Sequence, residues 1–297
     1  MPERKSIHII ILMLIGLNCY GQAGNTDSIM NVISIMHDTV KLRVLKDCAV
    51  DQQHRSLRTG LLYADKRMEI ARRINDAEKI AETFHIYGNL YTSSGLLSDA
   101  EENYLKALRL FDSLKLDENR ASILHNLGLV SFRKQDTIKS IQYYKRSIEL
   151  RKNSLENIRT GDELTTLAEV YLAYEDYENS SLYLMEALDY YRGIDRHGRK
   201  IDAFAFLFDN YYAEGRPGMR QWIDSMIVEN RKIESSAHSN MINLRLAKYN
   251  MMEGKIDLSA AIIDSVDFNL LYGYEVIDPV NTIHMLSEEY KKRGYYS

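Results

Sequence analysis

Three prolines, two cysteines and one tryptophan are all that 297 residues hold of these types. So little proline leaves long stretches free to be helical, because proline removes a backbone donor and collides with the preceding turn. Abundant Leu, Ala, Glu, Lys and Arg push the same way. Two cysteines exclude a disulfide-stapled fold, and 45% hydrophobic with 27% charged residues excludes a disordered or collagen-like chain. Neither sign of charge dominates: 38 Lys and Arg against 42 Asp and Glu give a net charge of −4 and no overall footprint for a polyanion. The two basic clusters, Arg72-Arg73 and Lys291-Lys292-Arg293, suit helix C-termini better than a nucleic-acid face.

Chemistry is scarce as well. The sequence has no G-x-x-x-x-G-K-[ST] or G-x-G-x-x-G loop, no H-E-x-x-H, no CxxC pair and no G-x-S-x-G elbow. The histidines, at 8, 37, 54, 85, 125, 197, 238 and 284, are scattered, with no two inside one helical turn. No cofactor, metal site or catalytic residue is expected, and an enzyme would need a site assembled across helices.

The amino terminus carries an address. Arg4 and Lys5 precede the apolar run Ile7 to Leu17, and the small residues Cys19 and Gly21 follow before Gln22. That order is the secretory one, and the run of 11 residues is short of the roughly 20 that span a bilayer. Residues 1–21 therefore read as a signal peptide cleaved after Gly21, and 22–37 as a short leading segment. A lipid on Cys19 is disfavoured because Gly16 sits where a lipobox carries Leu. Cleavage removes Glu3, Arg4 and Lys5, takes the charge from −4 to −5 and leaves Cys48 as the sole thiol, in an apolar helical pattern that suits a small core residue. After Gln22 apolar runs are only a few residues long, so no transmembrane helix is expected.

A fixed period organises the rest. Gly88, Gly128 and Ala168 fall 40 residues apart, as do Tyr104, Tyr144 and Leu184, and Leu108, Ile148 and Leu188 with Ala107, Ser147 and Ala187 before them. Within a unit, apolar residues recur at three and four (Phe84, Tyr87, Gly88, Tyr91, then Ala100, Tyr104, Ala107, Phe111), which is helical periodicity. Ser93-Ser94-Gly95 breaks the pattern between the halves. Each unit reads as a helix, a tight turn and an antiparallel second helix, with small residues admitting close approach and tyrosines filling the space beside them. That use accounts for many of the 21 tyrosines. A first unit pairs a helix near Val40 to Gln53 with Leu61 to Ala71. Leu207-Phe208, Tyr211 and Gly215 open a fifth unit, a one-residue deletion near Arg216-Pro217-Gly218 resets the register with Pro217 in a first helical turn, and Met219, Trp222, Ile223 and Met226 form one apolar face. Leu246-Ala247 and Gly254 mark a sixth unit. Leu286-Ser287, Tyr290 and Gly294 begin a seventh.

These residues resemble the tetratricopeptide repeat. The unit with Tyr87-Gly88, Tyr91, Gly95, Ala100, Tyr104 and Ala107-Leu108 carries its hallmark set, whereas Ser131 and Gln135 depart from it and the usual terminal Pro is missing throughout. A longer joint, such as Asp112 to Leu116, is expected to stretch the family's step of about 34 to 40. The resemblance implies an all-α fold: helix pairs stacked into a right-handed superhelix, an α-solenoid of about six and a half repeats over 38–297, best defined over 77–196. The last unit is incomplete. Either its lone helix, about Val276 to Arg293, is a polar cap, or the chain is a shortened relative of something longer. With the export signal, the stretch Asp38 to Leu45 and the run His125-Asn126-Leu127-Gly128, the chain resembles the exported sensory half of bacterial histidine kinases and helix-turn-helix regulators, without their membrane span and output domain.

In such repeats the first helix of each pair lines the concave groove. The positions there expected to be exposed are Glu82, His85, Asn89 and Thr92, then Ser122, His125, Asn126 and Arg133, then Asp162, Thr165 and Glu169, with His85 and His125 stacked on adjacent repeats. They form either a polar ladder for a protein or peptide partner or a solvated helix face. The chaperone-binding clamp of some tetratricopeptide domains is rejected: Asn89 and Asn126 match its two Asn sites, but His85, Asp162 and Thr166 stand where it needs cations. The leading expectation is a non-catalytic, exported, periplasmic binding module; the alternative is a cytoplasmic scaffold whose apolar amino terminus is not a signal.

Overall fold

The computed structural model describes residues 30–31, 33–152, 157–267 and 288. The expected signal peptide at 1–21 and, apart from residue 288, the expected half-unit at 276–293 lie outside the described residues. Between Asp38 and Asp264 the described chain is helical throughout, with no strand among the described residues. The chain falls into two compact units, one running to Asn153 and the other from Ser154. The first holds α1 (Asp38–Asp51), α2 (Leu57–Arg73), α3 (Ala77–Ser93), α4 (Leu97–Ser113), α5 (Asp117–Arg133) and α6 (Thr137–Lys152). The second holds α7 (Asn157–Ala173), α8 (Tyr177–Tyr190), α9 (His197–Ala213), α10 (Arg220–Asn230), α11 (Ser236–Met252) and α12 (Ile256–Asp264). Consecutive helices pack as antiparallel pairs: α1 with α2, α3 with α4, α5 with α6, and in the second unit α7 with α8, α9 with α10, α11 with α12.

The working period is half the one legible in the sequence. In the first unit helices begin at Leu57, Ala77, Leu97, Asp117 and Thr137, 20 residues apart, and in the second at Asn157, Tyr177 and His197. The links between them share one construction. Gly95 has a φ of 74°, and its N–H bonds the Thr92 carbonyl while the Leu96 N–H reaches back to Tyr91. Lys115 with Leu116, Gln135 with Asp136, Glu175 with Asp176 and Gly254 with Lys255 repeat the pattern. These are Schellman closures, which satisfy the last carbonyls of a helix with a residue in the left-handed region. Glycine supplies that conformation at 95, 215 and 254, whereas Asn75, Lys115, Gln135 and Glu175 adopt it as ordinary residues. Asp76 and Asp176 add a second role, their carboxylates capping the next helix at the N–H of Lys79 and Asn179.

Two expectations about the links are corrected. Asp112 and Ser113 belong to α4, so the joint after it is no longer than the turn inside a pair. The 40-residue step comes from pairing two helices of 17 residues, not from a stretched connection. Pro217 lies in the turn ahead of α10, which starts at Arg220. The one-residue deletion is real in the register: left-handed residues sit at 215, 234 and 254.

Small residues and tyrosines pack as the repeat requires. A Cβ on Gly88 would lie 2.3 Å from the Tyr104 ring, and one on Gly128 would lie 2.9 Å from Tyr144. Both rings are buried, as are Ala100, Ala107 and Phe111. Burying a ring of this size contributes roughly 4 kcal/mol as an upper figure. Cys48 is buried in α1, as its apolar helical pattern suggests. Met219, Ile223 and Met226 form the buried face expected of α10, with Trp222 packed at its margin.

The two kinds of glycine separate by experiment. Gly95→Ala meets no neighbouring atom and should cost about 1 kcal/mol of unfolding free energy from its positive φ alone. Gly88→Ala drives a methyl into Tyr104 and should cost about 2–3 kcal/mol. Urea titration of the two variants measures both.

Candidate functional site

In the first unit α3 and α5, each the first helix of its pair, carry a connected row of polar side chains. At its base the Tyr104 hydroxyl donates to Asn89 Oδ1 at 2.8 Å and lies 3.1 Å from Thr92 Oγ1, which donates to the Gly88 carbonyl at 2.8 Å. The same glycine that admits the ring thus sets the hydroxyl against the row. Asn126, on α5, gives one amide N–H to Asn89 Oδ1 at 3.2 Å and another to His85 Nε2 at 2.9 Å. A ring nitrogen that accepts from an amide must be unprotonated. Burial, reinforced by the positive charge of Lys46 and opposed by Glu82, lowers the His85 pKa from 6.5 to about 4. The ring is therefore neutral at pH 7, with its proton on Nδ1. Burial likewise pushes the Tyr104 hydroxyl up to about 12, so it remains a donor.

The other expected residues divide. Glu82 is held by Arg67 and by Lys79 at 2.8 Å, and Ser122 accepts from Arg151 Nη2 at 3.0 Å. Arg133 is exposed, with Nη1 3.4 Å from the Thr92 carbonyl. His125 does not stack on His85: each ring lies edge-on to the tyrosine of its own pair, His85 to Tyr104 at 6.0 Å and His125 to Tyr144 at 5.3 Å. Thr92 and Thr165 are corrected outright, because both are buried and their hydroxyls bond the carbonyl four residues back. A threonine on a helix can always make that internal bond, and spacing alone does not reveal it.

In the second unit Asp162 and Glu169 are half-buried on α7. Asp162 accepts from the Tyr191 hydroxyl at 2.9 Å, and Thr165 donates to the Gly161 carbonyl at 3.0 Å. Gly161-Asp162 with Thr165 thus repeats the wiring of Gly88-Asn89 with Thr92, against Tyr191 in place of Tyr104. A Cβ on Gly161 would lie 2.8 Å from that ring. Arg199 and Arg196 approach Asp162 at 3.5 and 3.9 Å. This second copy escapes a 40-residue alignment, because its glycine sits seven residues earlier than the small-residue column at Ala168. The shared pattern G-[ND]-x-x-T is the signal that would have found it.

Sequence reasoning also missed three buried arginines. Arg67 donates to the carbonyls of Leu42 and Lys79, to Thr83 and to Glu82. Arg151 binds Glu118, and Arg245 binds Asp209 and the Ala205 carbonyl. Arg67 stands in the column of Ala107 and Ser147, and a cation in a column of small residues is a readable sign of a buried, paired charge. No group of three or more His, Cys, Asp or Glu among the described residues is placed to hold a metal ion. No helix among them is long and apolar enough to cross a membrane.

Comparison with known proteins agrees with this architecture. Residues 119–193 match the tetratricopeptide repeat family. Over 86 residues the chain is 30% identical to the photosystem I assembly protein Ycf3 of Rippkaea orientalis; the match covers 28% of this chain and 46% of that protein, so the chain spans about half the length of this curated relative. Among solved structures it resembles a signal transduction ATPase with numerous domains and a tetratricopeptide repeat sensor from Pyrococcus horikoshii, with a TM-score of 0.66 at 16% identity over 96% of this chain and 42% of that one. It also resembles BtubC from P. vanneervenii, with a TM-score of 0.59 at 17% identity over 75% and 88%. At such identities the structural likeness speaks for the fold: paired helices of the tetratricopeptide α-solenoid type.

Burial of the His85 ring, with Lys46 nearby, makes stability depend on pH. The folded-state pKa is depressed, so the unfolded chain takes up the proton first. The contribution should be complete above about 6.5 and be lost as pH falls toward about 4, on the order of 3 kcal/mol in all. Denaturation followed across that window should show the slope in the parent protein and a flatter profile in His85→Gln.

Proposed function

We propose that this chain is a non-catalytic module that binds an extended protein or peptide segment along the inner face of its first helices. Tetratricopeptide-type repeats are protein-interaction modules, which supports the general class. The observation that carries the particular reading is what remains free on the row. Asn89 Oδ1 is used twice and Asn126 Nδ2 twice, yet the Asn89 amide N–H groups and the Asn126 carbonyl oxygen make no bond among the described residues. A donor and an acceptor on neighbouring helices complement the C=O and N–H of a peptide group. Their bonds to Tyr104 and His85 hold them in place, which lowers the ordering cost of binding.

The amino-terminal pattern of residues 1–21 supports export, with the binding face working in the periplasm. A buried lone thiol fits that setting, since Cys48 is shielded and stability needs no disulfide. A sensory role in signalling is the further part of this proposal, resting on the resemblance to exported sensor repeats; the solved relative with a repeat sensor supports the architecture of such a module.

Peptides displayed on phage and selected against the full chain should yield binders. Asn89→Ala combined with Asn126→Ala should weaken them about tenfold, the worth of one to two hydrogen bonds. Failure to enrich any peptide, or binders indifferent to both changes, would contradict the groove. For export, fractionation with amino-terminal sequencing should find Gln22 first in the periplasm; an intact Met1 in the cytoplasm would refute it.

A further inference from the structure

Within the first unit, α1, the end of α2 and the start of α3 enclose a cleft of about 420 Å³. Its volume is that of a ligand site. Arg67 contributes to its lining, and the guanidinium is buried and fixed by four bonds to α1 and α3, so the cleft has a rigid, charged floor. Glu82 there is shared by Arg67 and Lys79, and Asp76 caps α3 through the Lys79 N–H. Those four groups balance, two cations against two carboxylates. Arg43 and Lys46 remain. They lie three residues apart on one face of α1, both exposed, both lining the cleft, and neither makes an ion pair or hydrogen bond among the described residues. The lining therefore carries two positive charges in excess. Val40, Leu42 and Ile74 give it an apolar wall, with Ile74 substantially exposed.

Resting on the peptide-binding reading above, we infer that this cleft is the specificity pocket for an acidic segment of the bound partner: a carboxylate side chain set between Arg43 and Lys46, next to an apolar side chain against Val40 and Ile74. Three features of the cleft point to an acidic side chain of the bound peptide as the occupant. Lys79 and Glu82 of its lining belong to α3, the helix that bears His85 and Asn89, which places the cleft within reach of one extended segment bound along that helix. The Glu82 and Asp76 carboxylates on its floor are already matched by Arg67 and Lys79, so the charge left to meet a partner is that of Arg43 and Lys46 on α1, beside the apolar wall. The site is separate from Asn89 and Asn126, the two positions that match a clamp for a chain terminus. The charge it would receive is a side chain's.

The phage selection supplies the test, because peptides displayed at the amino terminus of the coat protein have no free terminal carboxylate. Binders to the full chain should be enriched in Asp and Glu adjacent to an apolar residue. A synthetic copy of the best binder should lose at least tenfold in affinity, measured by fluorescence anisotropy, when its acid is changed to the amide or when the protein carries Arg43→Glu and Lys46→Glu. Restoring the pair as Arg43→Lys and Lys46→Arg should return most of the affinity. Both positions are exposed, and circular dichroism of the variants confirms that they fold. Binders without acidic enrichment, unaffected by the charge reversal, would overturn the pocket and leave the groove standing. An absence of any binder would overturn both.

Discussion

One close contact governs the organisation of the first unit: the ring of Tyr104 lying where a Cβ on Gly88 would be. A helix pair with any larger residue at 88 would have to separate, and the tyrosine would lose both its burial and its reach. With the contact made, the hydroxyl reaches Asn89 on α3 and fixes it, Asn89 receives Asn126, and Asn126 in turn bonds His85. Apolar packing inside one pair thereby decides where the polar groups shared between pairs will stand. The second unit repeats the device with Gly161, Tyr191 and Asp162, at a different height along α7.

The links impose the complementary constraint. Closing α2, α3, α4 and α5 on left-handed residues 20 apart, after about five turns each, keeps successive first helices in register, so that His85 meets Asn126 and Gln53 meets Ser93. Buried arginines lock that register electrostatically. Arg67 ties α1, α2 and α3 together through backbone carbonyls as well as Glu82, which leaves little freedom for the cleft beneath Arg43 and Lys46 to collapse. Such a buried pair is costly to break, because the survivor keeps its charge without a partner.

Most of the fold could be read from the chain. The column of Gly88, Gly128 and Ala168, the tyrosines 16 residues on and the turn glycines located the helix pairs, since small-against-large packing and breaker residues are local in origin. What escaped was left-handed backbone at residues other than glycine and the direction in which a polar side chain makes its bond. Gln135 and Glu175 adopt the left-handed conformation without announcing it. Spacing alone predicts Thr92 and Thr165 at exposed positions, but a hydroxyl can turn inward to its own backbone, and both do. The bond between His85 and Asn126 joins positions 41 apart, one off the repeat, where a strict 40-residue alignment pairs His85 with His125.

The central claim is that Tyr104 serves two ends, filling the space above Gly88 and positioning the row proposed to bind a peptide. Tyr104→Phe keeps the ring and removes only the hydroxyl. Binding of a selected peptide to that variant is the most direct measurement: affinity should fall several-fold while unfolding free energy drops by only about 1 kcal/mol. Full affinity in Tyr104→Phe would show that the row stands, or binds, without the tyrosine and would contradict the account.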